Sequence, residues 1–127
     1  MGGRILIADD DPDDIELLST DLKAHGYQVS SCLGGQEALA AVKRLKPDLV
    51  ILDILMPGIA GNEVGRALGA DPETKKIPVL YLTGLRELGD IGGGAPAGGI
   101  LIPKPSGAKD FEALRVVIRK ILSGAGA

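Results

Sequence analysis

Five side chains of this sequence could together hold a divalent cation and a phosphoryl group. Three are carboxylates, one is a hydroxyl and one is an ammonium: Asp9, Asp10, Asp53, Thr83 and Lys104. Clustered carboxylates repel one another without a counter-ion, and Mg²⁺ relieves that repulsion because it prefers carboxylate and water oxygens as ligands. A carboxylate is also a competent nucleophile for phosphoryl transfer once its charge is neutralised. The set can do this chemistry only if the fold brings the five side chains together.

Apolar runs that end directly before or at these side chains are typical of strands. The run at residues 48–53 is so rich in Leu, Val and Ile that it indicates a strand buried on both faces. Residues 4–8, 79–82 and 100–102 are similar, and residues 27–31 alternate in a way that suits a strand at a sheet edge. Because an open parallel sheet presents its ligands at the carboxyl ends of its strands, the five side chains should converge there.

The residues at its two ends predict the first helix. Asp11 is a candidate N-cap, Pro12 suits the first helical position, and Gly26 is a signal for the helix end. Asp13 and Asp14 lie near the positive end of the helix dipole, which favours negative charge. We therefore expect a helix between the first two strands.

Further helices are predicted at about residues 35–45 and after Gly61. The last helix carries four apolar residues on one face: Phe111, Leu114, Ile118 and Ile121. Alternating strands and helices imply right-handed crossovers and a parallel sheet covered on both faces. The prediction is an α/β fold with a flavodoxin-like, doubly wound, five-stranded parallel sheet in the order 2-1-3-4-5.

The segment where a fourth of five helices would belong is unusual. Residues 84–99 contain seven glycines and Pro96, and each Gly costs a helix about 1 kcal/mol relative to Ala. We expect this helix to be degraded to at most a short turn near residues 85–91, followed by a mobile loop. One domain should span residues 1–123, and residues 124–127 should form a frayed tail.

The composition restricts location and partners. The chain has 127 residues, the size of one domain, and a formal net charge of -3, which does not favour direct nucleic-acid binding. Its one cysteine, Cys32, excludes an internal disulfide and suits a reducing compartment. The N-terminus lacks a signal-peptide pattern, and no apolar run approaches the roughly 20 residues that span a bilayer. We expect a cytoplasmic protein without membrane contact.

Four short motifs give the chain a resemblance to a known family. They are residues 5–12, 52–58, 82–84 and 103–105, each at a predicted strand end. Over nearly its whole length the chain resembles the receiver domains of two-component response regulators, and chemotaxis-regulator-like ones in particular. The resemblance implies a phosphoryl-accepting switch that catalyses its own phosphorylation but is not a turnover enzyme. Its implied partners are a histidine kinase or phosphotransfer protein and a downstream protein target.

The resemblance also implies a role for each acidic residue. Asp53 would be the phosphoacceptor, which attacks the phosphorus of a phosphohistidine and forms an acyl phosphate. Asp10 and Asp53 would bind Mg²⁺ directly, and Asp9 would do so directly or through water. The backbone carbonyl of Leu55 would supply another oxygen to the ion.

Thr83 and Lys104 complete the implied site. The Thr83 hydroxyl would donate to one phosphoryl oxygen, and the Lys104 ammonium would offer a point charge to another. The Lys104–Pro105 bond resembles a cis bond that aims the lysine inward in the family. The chain departs from the family at Leu101, where Tyr or Phe is usual, so coupling between the hydroxyl and an aromatic side chain should be altered or lost.

Two other functions compete with phosphoryl acceptance. A pseudo-receiver would bind partners independently of phosphorylation, and Leu101 and the degraded helix favour it, whereas the intact set of five side chains argues against it. A phosphatase with an aspartyl nucleophile usually has a second acid two residues later, where this chain has Leu55. A P-loop nucleotide site is disfavoured, because the sequence contains no Gly-x-x-x-x-Gly-Lys-[Ser/Thr] motif. The oligomeric state stays open.

Overall fold

A five-stranded parallel sheet runs through the centre of this protein, whose computed structural model describes residues 3–56, 58–84 and 99–124. The strands are β1 (Arg4–Ala8), β2 (Gln28–Cys32), β3 (Leu49–Asp53), β4 (Val79–Thr83) and β5 (Ile100–Pro103). They lie in the order β2-β1-β3-β4-β5, and every neighbouring pair is parallel. The predicted fold class and strand order are confirmed.

Four helices lie in the described part of the chain. They are α1 (Pro12–Ala24), α2 (Gly35–Leu45), α3 (Gly61–Ala70) and α4 (Ala108–Gly124). The Asp11 carboxylate accepts a hydrogen bond from the Asp13 backbone N–H and caps α1 as predicted. Gly26 follows the helix with a φ of 93°, which glycine adopts without strain. Among the described residues, no helix combines the length and the hydropathy of a membrane span. The turn predicted near residues 85–91 and the loop after it fall outside the described residues.

The sheet separates two apolar clusters, and β3 contributes to both. All five residues of β3 are buried, as the apolar run predicts. Val50 and Leu52 pack on the side of α2 and α3, whereas Leu49 and Ile51 pack on the side of α1 and α4. Successive side chains of a strand point to opposite faces, so one short run serves both layers. This burial fixes the position of the strand and of Asp53 at its end.

The register of the sheet aligns the strand ends that carry the candidate side chains. Asp53 is the last residue of β3 and pairs with Leu82 of β4. Thr83 is the last residue of β4 and pairs with Pro103 of β5. Asp9 directly follows β1, the other neighbour of β3. The side chains predicted to converge are therefore all delivered to the same edge.

Candidate functional site

Three carboxylates form a cluster at the carboxyl edge of the sheet. Asp9, Asp10 and Asp53 each offer one oxygen, and these oxygens all lie within 4.8 Å of one another. Oxygens on opposite sides of a Mg²⁺ ion are about 4.2 Å apart, since each bond measures roughly 2.1 Å. Asp9 and Asp53 are buried and Asp10 is exposed. Small side-chain adjustments would let one ion contact all three, with water access from the Asp10 side.

Asp9 has one oxygen that is left for a cation. Its Oδ1 accepts a hydrogen bond of 2.9 Å from the Asp11 backbone N–H. Its Oδ2 is buried and makes no hydrogen bond within the described residues, although the Lys104 ammonium lies 3.3 Å away. A buried anionic oxygen with no hydrogen-bond partner is costly unless a charge compensates it, and the single charge of Lys104 is shared with Asp14 and Asp53. The residues present therefore fit a divalent cation.

Lys104 connects the cluster to a fourth carboxylate. Its Nζ lies 3.3 Å from Asp53 Oδ2 and 3.3 Å from Asp9 Oδ2, and it donates to Asp14 Oδ2 at 2.8 Å. The Lys104 backbone N–H donates to the Thr83 carbonyl at 2.8 Å and continues the sheet ladder just beyond β5. This backbone bond holds the lysine against β4, so that its side chain extends into the pocket.

The peptide bond between Lys104 and Pro105 is trans, and the described residues contain no cis peptide bond. The cis bond implied by the resemblance is therefore wrong for this structure. The backbone bond from Lys104 to Thr83 already places the lysine, and the trans form of an X-Pro bond is lower in free energy by about 0.5–1 kcal/mol. The ammonium reaches all three carboxylates with the trans bond in place.

Burial governs the protonation of the buried carboxylates. The pKa of Asp53 is raised to about 7, chiefly by burial and also by the charge of Asp9, while Lys104 acts in the opposite direction. Burial also raises the pKa of Asp9, against the hydrogen bond from Asp11. Burial lowers the pKa of Lys104, but its hydrogen bond to Asp14 and the surrounding negative charges outweigh that effect and raise it. The ammonium thus stays charged, while the carboxylates need a further cation to ionise together.

Thr83 ends β4 beside Asp53 of β3, and Leu55 follows β3. The Thr83 side chain is buried, and its hydroxyl donates to the Gly84 carbonyl at 3.3 Å. That long hydrogen bond is a weak one, so the hydroxyl can exchange it for a better acceptor. Leu55 lies two residues beyond Asp53 in the loop after β3, with an exposed side chain. The predicted contact between its carbonyl and a metal stays a prediction.

Asp14 also contacts Lys104 of this site. The sequence analysis predicted only that its negative charge lies near the positive end of the helix dipole. The signal was nevertheless present, because Asp14 precedes Leu18 and Leu22 at intervals of four residues. Residues four apart share one face of a helix, and both leucines are buried. An acid on that face in the first turn of α1 must therefore face the edge of the sheet. Its partner, 90 residues later, could not be identified from the helix alone.

An aromatic side chain does lie beside Leu101, on the neighbouring strand. Tyr81 of β4 pairs with Leu101 and is fully buried. Two glycines make room for its ring, since a Cβ at Gly65 or Gly99 would overlap Tyr81 atoms. Leu101 packs partly buried against the same apolar cluster. The Tyr81 ring is therefore held between α3 and the start of β5.

Comparison of the sequence with known proteins gives one consistent family. The family model described as the response regulator receiver domain matches residues 5–115. The response regulator PleD of Caulobacter vibrioides is 43% identical over 90 residues, which are 71% of this chain and 20% of PleD. Protein PilH of Pseudomonas aeruginosa is 42% identical over 80 residues, which are 63% of this chain and 66% of PilH. The chain thus spans about a fifth of PleD and just under two thirds of PilH.

Solved structures give the same result. The signal receiver domain of a histidine kinase from Syntrophus aciditrophicus superimposes with a TM-score of 0.81 at 34% identity, covering 96% of this chain and 91% of that one. The receiver domain of a sensor histidine kinase from Pseudomonas aeruginosa has a TM-score of 0.79 at 25% identity, covering 94% and 97%. That second structure holds a magnesium ion coordinated in its active site cleft.

Proposed function

This chain belongs to the response regulator receiver domain family, and from that membership we propose that it accepts a phosphoryl group on Asp53 and thereby switches partner binding in two-component signalling. One observation carries the proposal. The buried Asp53 carboxylate lies within reach of two other carboxylates and 3.3 Å from the Lys104 ammonium. A nucleophile, a cation site and a fixed positive charge at one point are what phosphoryl transfer to a carboxylate requires.

The carboxylates of Asp9, Asp10 and Asp53 and the carbonyl of Leu55 would hold Mg²⁺ in this proposal. Receiver domains of this family bind Mg²⁺, and the magnesium of the Pseudomonas aeruginosa structure supports the same ion here. When bound, the ion supplies positive charge that stabilises both the ionised carboxylates and the transferred group. The buried Oδ2 of Asp9, which makes no hydrogen bond within the described residues, is the feature of this chain that most favours a cation.

Asp53 acts as the nucleophile. One of its oxygens attacks the phosphorus of a phosphohistidine on a histidine kinase or phosphotransfer protein, so that a P–O bond forms while the P–N bond breaks. The electron pair of the broken bond returns to the imidazole of the donor. Lys104 donates to one oxygen of the transferred group, and the Thr83 hydroxyl exchanges its weak bond to Gly84 for another such oxygen. Because Thr83 is the last residue of β4, its movement toward the phosphoryl group would also displace the end of that strand.

A test of this proposal uses acetyl phosphate as the donor in the presence of Mg²⁺ and intact mass as the readout. We expect the mass of the wild-type protein to rise by one phosphoryl group, and no rise in Asp53→Asn or with a chelator. Asp48→Asn is a matched control, because Asp48 lies just before the other end of β3 and its carboxylate accepts a hydrogen bond from the Arg4 backbone N–H, away from the cluster.

Two results would refute the assignment. Modification that persists in Asp53→Asn would place the phosphoryl group on another residue. An unmodified wild-type protein that still binds a protein partner would favour the pseudo-receiver, a function that Leu101 supports because it replaces the family's usual aromatic residue.

A further inference from the structure

We propose that Asp14 is a positioning residue that holds the Lys104 ammonium toward α1 and competes with the incoming phosphoryl group for it. The inference rests on the proposed function, since it concerns the lysine of that same site. Asp14 Oδ2 lies 2.8 Å from Lys104 Nζ, whereas the oxygens of Asp53 and Asp9 both lie 3.3 Å away. The shortest ion pair of the lysine is thus made with a residue outside the metal-binding cluster.

The donors of the ammonium are all directed toward carboxylates. A lysine ammonium has three N–H groups, and Lys104 donates to Asp14 and Asp53 while it pairs with Asp9. A phosphoryl oxygen can therefore be bound only if one of these carboxylates releases the ammonium or shares a donor. The competition takes place at one nitrogen atom, and the tightest contact determines how easily that nitrogen moves.

Metal binding would leave Asp14 as the strongest competitor. Asp9 and Asp53 belong to the group of carboxylates able to hold an ion, and a bound cation would offset their charge. Asp14 is not in that group, so it keeps its full negative charge toward Lys104. The contact between Asp14 and Lys104 should consequently persist in the metal-loaded protein that receives the phosphoryl group.

The surroundings of the ion pair limit its exchange with water. Asp14 and Lys104 lie beside Leu17, Pro105 and Phe111 around a cleft of about 10 Å³, which holds roughly one water molecule. The side chains of Asp14 and Lys104 are 32% and 28% exposed. Partial shielding makes such a pair stronger than a fully solvated one, although solvent still weakens it. Release of the lysine thus has a cost that a change at Asp14 would remove.

Asp13 provides a matched control. It lies in the same first turn of α1, carries the same charge and is exposed, and its backbone N–H, not its carboxylate, contacts Asp11. Asp13→Asn and Asp14→Asn both remove one negative charge at the same end of the helix. A difference in phosphorylation rate between the two variants therefore reports the contact of Asp14 with Lys104. It does not report the loss of negative charge near the site or at the end of the helix dipole, because both variants share that loss.

The experiment compares phosphorylation of the wild type and both variants by acetyl phosphate at saturating Mg²⁺. We expect Asp14→Asn to raise the rate constant about three- to fivefold, and Asp13→Asn to change it less than about 1.5-fold, which is the scale of a partly exposed ion pair. A rate for Asp14→Asn that equals that of Asp13→Asn would overturn the proposal. A lower rate would also overturn it, because the aspartate would then assist the lysine instead of competing for it.

A spectroscopic measurement separates competition from a structural effect. In protein labelled at the lysine side chains, a beryllofluoride mimic of the phosphoryl group should shift the Lys104 resonance strongly in the wild type and less in Asp14→Asn, where the lysine is already free of that contact. Equal shifts would contradict the inference. Failure of the wild type to be phosphorylated would refute the proposed function itself, whereas a modified wild type with indistinguishable variants would refute only the role of Asp14.

Discussion

Exposure distinguishes the carboxylates of the cluster from one another. Asp9 and Asp53 are 1% and 5% exposed, so that changing either alters a buried, charged environment as well as a candidate metal ligand. Asp10 is exposed, and its carboxylate reaches the same point from the solvent side. A change at Asp10 can therefore separate metal binding from folding, which changes at the buried positions cannot do.

We expect Asp10→Asn to weaken Mg²⁺ binding about tenfold or more, equivalent to about 1.4 kcal/mol, because a charged ligand becomes a neutral amide. The free energy of unfolding of the metal-free protein should hardly change. Calorimetric titration with MgCl₂ and denaturation in a chelator measure the two quantities. Asp11→Asn is the control, since Asn caps a helix as well as Asp does. An equal loss of affinity in both variants would contradict a direct contact at Asp10.

Residue patterns predict the part of the candidate site that follows from strand ends in a parallel sheet, but not the contacts that depend on helix packing. A polar residue after an apolar strand is visible in the sequence, and a parallel sheet must gather such residues at one edge. This reasoning predicts that Asp9, Asp53 and Lys104 lie at one edge of the sheet, where the structure brings them together. It could not locate the contact between Asp14 and Lys104, because that contact depends on how α1 packs beside the end of β5.

At the scale of elements, helix α3 approaches Tyr81 of β4 closely at Gly65. Gly65 is buried, and a Cβ there would overlap the Tyr81 hydroxyl. Gly69, one turn later on the same helix, has no described atom beyond its chain neighbours and the nearby backbone of its own helix within 4 Å of the place where its Cβ would lie. The two glycines share a helix and differ in surroundings, so they allow packing to be separated from helix propensity.

Gly65→Ala should lower the free energy of unfolding by about 1–3 kcal/mol, because the added methyl group forces Tyr81 or α3 to move. Gly69→Ala should leave stability unchanged or raise it by up to about 1 kcal/mol, since Ala favours a helix more than Gly does. Urea denaturation measures both values. Equal effects of the two substitutions would show that the close approach of α3 to Tyr81 does not limit packing.

The bounds of some helices and strands can be predicted from the sequence more accurately than those of others. The strand at Arg4–Ala8 and the helix at Gly35–Leu45 have the bounds that the sequence predicts, because apolar runs and helical spacing are local signals. The second strand was predicted at residues 27–31 but spans Gln28–Cys32. Its bounds follow from pairing with β1, from Arg4 opposite Gln28 onward, and that pairing is not local. An edge strand with few apolar residues gives little information about its own register.

At the scale of the whole molecule, the protonation of Asp53 is linked to folding. In the metal-free protein its pKa is raised from 3.8 to about 7, chiefly by burial. The folded state thus binds a proton more tightly than the unfolded state does between these pH values. The stability that this proton contributes is fully present below about pH 4 and is lost as the pH rises through 7.

We therefore expect the metal-free wild-type protein to lose stability between pH 4 and pH 8 relative to Asp53→Asn, which has no carboxylate to ionise there. Mg²⁺ should offset the loss at pH 8, because a ligand that binds only the folded state stabilises it. Denaturation curves in a chelator and in excess MgCl₂ at both pH values measure the effect. Parallel pH profiles for the two proteins would contradict the linkage.

The burial of Tyr81 gives this molecule an optical probe of its own. The sequence contains two tyrosines and no tryptophan. Tyrosine emission is therefore not quenched by energy transfer to tryptophan. Tyr81 lies two residues before the end of β4, with its ring enclosed by Gly65 and Gly99. Once Tyr27 is replaced by phenylalanine, tyrosine fluorescence comes from a single ring inside the sheet, and motion at this end of β4 can be followed without a dye.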